Sequence, residues 1–149
     1  ATWLRPGERI VDLRLSRSGA RAAMLVDDGQ RTTLRVSGVV RGSDGVPNAL
    51  TEPILLPSSG SEDSVEWAGD TNLLVSAYAA KPDERVVPRI VSVDGTVREL
   101  NPLGGLRGIS AGDDGAYYAE TEEFVFLLVG SSWRAQELDR GVRDLSFPD

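Results

Sequence analysis

Residues 10–28, IVDLRLSRSGARAAMLVDD, read as a strand, a tight turn and a second strand. Ile10, Val11, Leu13 and Leu15 form an apolar segment that stops at Ser18-Gly19. Ala22 to Val26 forms the next and ends at Asp27-Asp28-Gly29, a run favoured where a hairpin needs positive φ. Looser copies of this unit recur down the chain, and that recurrence decides the architecture.

Before the unit, residues 1–6 (ATWLRP) are short and apolar and end at a Pro-Gly turn signal, which predicts the last strand of a preceding repeat. After it, Thr32 to Val40 alternates as a half-buried strand with Leu34 and Val36 on one face. A turn cluster at 42–48 leads to a less regular strand over Leu50 to Leu56, closed by the polar loop 57–63. A second cycle runs through Val65-Glu66-Trp67, Leu73 to Tyr78, a polar loop from Ala79 to Arg85, Val86 to Val93 and Val97 to Leu100. Pro88 demotes the start of its third strand, and Asn101 to Gly105 reads as a breaker. The third cycle holds Gly108-Ile109-Ser110, Ala116 to Glu120, Phe124 to Val129 and Trp133 to Leu138, and residues 142–149 begin a fourth. Helical spacing of apolar residues is sustained nowhere, so the chain is predicted to be all-β.

The cycles align at Leu13, Val65, Ile109 and Leu145, separated by 52, 44 and 36 residues. That spacing sits around the roughly 40–50 residues of four-stranded propeller blades. Gly7, Asp12-Leu13 and Ser16 reappear in order as Gly141, Asp144-Leu145 and Ser146, each set preceded by a tryptophan, Trp3 or Trp133. The expected fold is a β-propeller segment of about three four-stranded antiparallel blades, over 7–57, 64–103 and 107–140, within a segment spanning 1–149. Residues 1–6 would close the preceding blade and 142–149 would open the following one. A two-sheet sandwich is the competing architecture. A propeller ring takes about 4–8 blades, so three make a partial ring or half of a larger one. Open blade edges would then invite self-association.

Composition narrows the function classes. The net charge of −7 and pI near 4.6 exclude a surface that neutralises a row of phosphates, so no nucleic-acid partner is expected. Without histidine or cysteine there are no disulfides, thiol nucleophiles, Cys/His zinc sites or histidine-based triads. Lys81 is the only lysine among the 16 basic residues. The longest apolar run, Phe124 to Val129, is far below the about 20 residues that span a bilayer.

Each chemical candidate carries a plainer alternative. The Asp-Gly pairs at 28–29, 44–45, 94–95 and 114–115 lack the EF-hand pattern and fit hairpin turns better than calcium loops. Glu120, Glu122 and Glu123 offer carboxylates for glycoside hydrolysis, yet fall at a strand connection with no motif placing a second acid. Ser18 lacks the flanking glycines and the base of a nucleophile elbow. Trp3, Trp67 and Trp133 suit packing between blades, with ligand stacking as the alternative. Phe124 to Val129 reads as an inner strand covered on both sides, with a partner-binding strand as the alternative. No catalytic, cofactor-binding or metal residue is assigned, and no cofactor is expected.

Four stretches carry a family resemblance: VDLRLSRSGARAAMLV (11–26), VEWAGDTNLLVSAY (65–78), PRIVSVDGTVRELNPLGGLRGISAGDDGAYYAET (88–121) and GSSWRAQ (130–136). Their order resembles the C-terminal β-propeller of the actinobacterial LpqB lipoprotein family, and the arginine-rich composition suits that source. The resemblance implies a non-enzymatic, extracytoplasmic, membrane-associated component, held by a lipid anchor on an N-terminal part outside this chain. It further implies a protein partner, the extracytoplasmic domain of the MtrB sensor kinase, within a two-component system tied to the cell envelope. Rival expectations are an accessory or gating propeller of a hydrolase and an envelope-polymer or sugar-binding propeller.

Overall fold

The computed structural model describes residues 3–112 and 114–136, and every regular element in them is a strand. The fourth-cycle strand expected at 142–149 lies outside the described residues, as do Ala1, Thr2 and the end of the strand expected to reach Leu138.

The first sheet holds β1 (Arg9–Leu15), β2 (Arg21–Asp27), β3 (Thr32–Arg41), β4 (Pro47–Leu50) and β5 (Ile54–Leu56). All pairings are antiparallel, and β4 and β5 share β3 as partner. One irregular strand was expected over Leu50 to Leu56. Instead β4 starts at Pro47, inside the turn cluster expected at 42–48, and ends at Leu50, and only Ile54–Leu56 of the expected strand forms β5. Pro53, which has no N–H for the ladder and restricts Glu52 before it, keeps the stretch between them out of the sheet. Thr51 bridges the break, its N–H donating to the Gly38 carbonyl while its Oγ1 accepts from the Gly38 N–H at 2.8 Å.

The second sheet runs β6 (Ser64–Ala68), β7 (Asn72–Ser76), β9 (Arg89–Ser92) and β10 (Val97–Glu99) in spatial order. Between β7 and β9 the chain makes β8 (Arg85–Val86), which pairs with β11 (Leu103–Gly104) outside the sheet. The sequence reading joined Val86 to the third strand and left Asn101 to Gly105 as a breaker. Pro88 is what parts them, and a long-range pairing makes a short ribbon of the breaker. The third sheet follows as β12 (Gly108–Ala111), β13 (Tyr117–Glu120), β14 (Val125–Val129) and β15 (Ser132–Ala135). Trp3 to Pro6 forms turn and coil rather than the expected strand, with the Arg5 N–H taken by the Glu8 carboxylate at 2.9 Å.

The sheets stack side by side, with the first strands β1, β6 and β12 adjacent. Period-two alternation sorts each strand into two faces. From the first sheet, Leu25, Leu34 and Val36 meet Val65, Leu73 and Val75 of the second. The opposite face of the second sheet presents Leu74 to Ile109, Tyr117 and Ala119 of the third. The second strands β2 and β7 are buried on both faces through their apolar runs, whereas β13 buries Tyr117 and Ala119 on one face and leaves Glu120 exposed on the other. This is blade-on-blade packing of a propeller, not the two facing sheets of a sandwich. Phe124 to Val129 departs from expectation: β14 lies third in its sheet and is only half-buried, with Phe124 48% exposed.

Leu73 is fully enclosed between the first two sheets, so Leu73→Ala is expected to cost about 2–5 kcal/mol in urea unfolding. The Tyr117 hydroxyl is buried without a hydrogen-bond partner among the described residues, and burial pushes its pKa up to about 12. Tyr117→Phe is therefore expected to hold or raise stability, since removing an unsatisfied polar atom leaves nothing unpaired. A clear fall in its unfolding midpoint would show a hidden partner.

Candidate functional site

The adjacent first strands enclose a groove of about 350 Å³, lined by Leu13, Arg14 and Arg17 of the first sheet, Glu66 and Trp67 of the second, and Ala111 of the third. Asp12 and Arg14 lie on one face of β1, and Glu66 comes across from β6. Arg14 Nε stands 3.2 Å from Asp12 Oδ1 and 3.8 Å from Glu66 Oε1. Asp12 Oδ2 accepts the Val65 N–H at 3.3 Å, and the Arg14 carbonyl accepts the Trp67 indole N–H at 2.8 Å. The carboxylates and the indole that would be read as reactive or ligand-stacking are thus tied up in joining two sheets.

At the lower rim of the groove the β1–β2 turn grips the β6–β7 turn. Ser18 donates to Asp70 Oδ1 through its N–H at 3.1 Å and its Oγ at 2.7 Å, and Arg21 donates to the Asp70 carbonyl. Ser16 Oγ braces the turn by accepting the Arg21 N–H at 3.1 Å. The Ser18 hydrogen bonds, with smaller help from Ser16 and Arg21, hold the Asp70 carboxyl below the usual aspartate range. The Ser-Arg-Ser-Gly-x-Arg run is therefore a clasp between neighbouring blades. Ser18 serves as a donor there, not as a nucleophile. Gly19 makes its tight turn at φ +76°, where a Cβ would also strike the Arg41 guanidinium.

The other sequence candidates separate cleanly. All four Asp-Gly pairs occupy hairpin turns, with glycine φ between +79° and +94°. Each aspartate spends an oxygen on the backbone two residues ahead: Asp28 on Gln30, Asp44 on Val46, Asp94 on Thr96 and Asp114 on Ala116. Trp67 is buried between the first and second sheets. Trp133 is half-buried between the second and third, its indole N–H reaching the Asn101 carbonyl at 3.0 Å. Trp3 instead borders a hollow of about 320 Å³ on the outer face of the first sheet, beside the 2.6 Å Glu8–Arg35 ion pair. Glu120 ends β13, while Glu122 and Glu123 border a separate cleft with Phe124.

A family model describing the lipoprotein LpqB β-propeller domain matches residues 1–148. The chain belongs to that family. No curated protein matches it. Among solved structures, a chain from a structural and mechanistic analysis of two prolyl endopeptidases is similar at a TM-score of 0.53 and 19% identity. That similarity covers 88% of this chain and 21% of the other, and shows the fold alone. In this LpqB-family propeller Ser16, Ser18, Arg21, Trp67 and Asp70, all within the stretches that carry the resemblance, join blades.

The clasp has a pH signature. A carboxylate depressed in the folded state contributes its stability fully above the ordinary aspartate value of about 4 and loses it as pH falls below that. Asp70→Asn is expected to flatten the fall of the urea midpoint below pH ~4, because the substituted amide has no proton to gain there. Parallel profiles for the two proteins would remove the clasp from acid stability.

Proposed function

We propose that this chain is the protein-binding propeller part of an extracytoplasmic, lipid-anchored lipoprotein of the actinobacterial envelope. Its role is non-enzymatic: it modulates a two-component sensor kinase of the MtrAB type by binding the extracytoplasmic domain of MtrB. The lipid anchor belongs to a part of the parent lipoprotein N-terminal to this chain. The observation that carries the reading is the match of the LpqB propeller family over residues 1–148. The groove supports it, since Asp12 and Glu66 are engaged by Arg14 and Asp70 by Ser18. A carboxylate held below its ordinary range, as Asp70 is by the Ser18 hydrogen bonds, makes a poor general acid at neutral pH.

Two rivals draw on less. An accessory or gating propeller of a hydrolase has only a shared fold behind it. An envelope-polymer or sugar-binding propeller needs open tryptophans, whereas Trp67 is buried and Trp3 and Trp133 are half-buried.

Calorimetric titration of this chain, and of the complete parent propeller, against the purified extracytoplasmic domain of the sensor kinase tests the proposal. Binding by both is expected. Binding by the parent alone would move the partner surface to other blades, and binding by neither would overturn the sensor-kinase reading.

A further inference from the structure

The end of the sheets opposite the clasp carries the second-to-third-strand connections, 77–88 in the second sheet and 121–124 in the third, together with the crossing between those sheets. They surround a cleft of about 630 Å³, inside the roughly 300–1,000 Å³ typical of binding pockets. We propose that this cleft is where the propeller holds its protein partner. Its occupant is an extended segment with one apolar side chain flanked by an acidic and a basic residue. The proposal rests on the protein-binding reading above and gives it a place.

Three observations carry it. The cleft is preformed. The 77–88 connection is far longer than its counterpart at 28–31, yet it is tied down by the β8–β11 ribbon and by backbone hydrogen bonds from Ala79 to Leu106 and from Gly105 to Glu84, both 2.9 Å. Glu84 adds its carboxylate to the Ala80 N–H at 2.8 Å. Gly105 makes the junction possible: at φ +68° a Cβ there would stand 2.6 Å from the Pro82 carbonyl oxygen, so only glycine fits. A partner would meet a surface already ordered, which lowers the entropy lost on binding.

Phe124 and Phe126 line the cleft, their rings tilted by 59° at 5.8 Å between centroids. Phe124 is the one exposed aromatic side chain among the described residues. A rigid, half-open aromatic pair is the kind of anchor on which protein interfaces concentrate their energy.

The rim carries both signs. Lys81 and Arg107 come from the segments contributed by the second sheet and the crossing, and Glu122 and Glu123 come from the third. Among the described residues none of these four has an ion-pair partner, whereas Arg14, Arg35 and Arg89 elsewhere are all paired. Unpaired charges of opposite sign on either side of an apolar floor specify a partner of complementary sign order. A single-sign ligand such as a phosphate or a polycation would meet repulsion at one rim.

Two measurements test the cleft. In the first, the isotopically labelled chain is titrated with the capped tripeptide acetyl-Asp-Leu-Arg-amide at millimolar concentration and followed by amide chemical shifts. Shifts concentrated at 79–82, 105–107 and 121–126 are expected; no shifts, or shifts centred elsewhere, would overturn the proposal. In the second, the sensor-kinase domain is titrated with Phe124→Ala, with the double variant E122K/E123K and with V46A at the opposite end of the sheets, each first checked for a native amide spectrum. Phe124→Ala and the charge reversal are expected to weaken binding about tenfold or more, with V46A unchanged. Wild-type affinity in both cleft variants would sink the cleft while sparing the protein-binding reading. Tripeptide lodging in the cleft without any kinase binding would keep the cleft and remove that partner.

Discussion

The centres of strands β2 and β7 are apolar on both faces. Ala23 and Leu25 point one way and Met24 and Val26 the other; Leu73 and Val75 oppose Leu74. A strand of this kind on a lone antiparallel sheet would leave half its apolar surface in water, at about 25 cal/mol for each Å². Covering both faces forces sheets to stack side by side, and stacking with the right-handed twist of strands makes them fan about an axis. The first strands then converge, and the groove, the Arg14 network and the Ser18–Asp70 clasp all follow from that convergence.

The two ends of the stack are used differently. At the clasp end polar groups are matched with one another across sheets, so Asp12, Arg14, Glu66, Trp67 and Asp70 maintain blade geometry. At the other end an ordered loop ribbon frames aromatic rings and charges that have no partners within the described chain. The contacts that hold blade to blade and the unpaired rim charges thereby lie at opposite ends of the sheets.

Some departures from the sequence reading have one cause. Proline at 53 and at 88 lies between β4 and β5 and between β8 and β9, where each stretch reads as a single strand. Leu103-Gly104 reads as a breaker because its partner, Arg85-Val86, is distant in sequence and no local period announces it. Phe124 to Val129 shows the limit of a composition argument. An apolar run of that length fits a doubly covered strand, yet its place third in the third sheet leaves Phe124 and Val129 exposed.

The sequence by itself determined the all-β class, the repeat and the hairpin turns, because strand alternation and the positive φ of Asp-Gly are local properties of a few neighbouring residues. It also determined family membership, through stretches such as 11–26 and 65–78, without revealing what Ser16, Ser18, Arg21 and Trp67 within them do. Only the tertiary structure decided that they join blades, that Arg14 sits between Asp12 and Glu66, and that Lys81, Arg107, Glu122 and Phe124 border one cleft. Those groupings bring together residues up to about fifty positions apart, as Ser18 and Asp70 are. Their proximity comes from which sheet faces stack on which, and that is settled by burial across the whole core rather than by any local pattern.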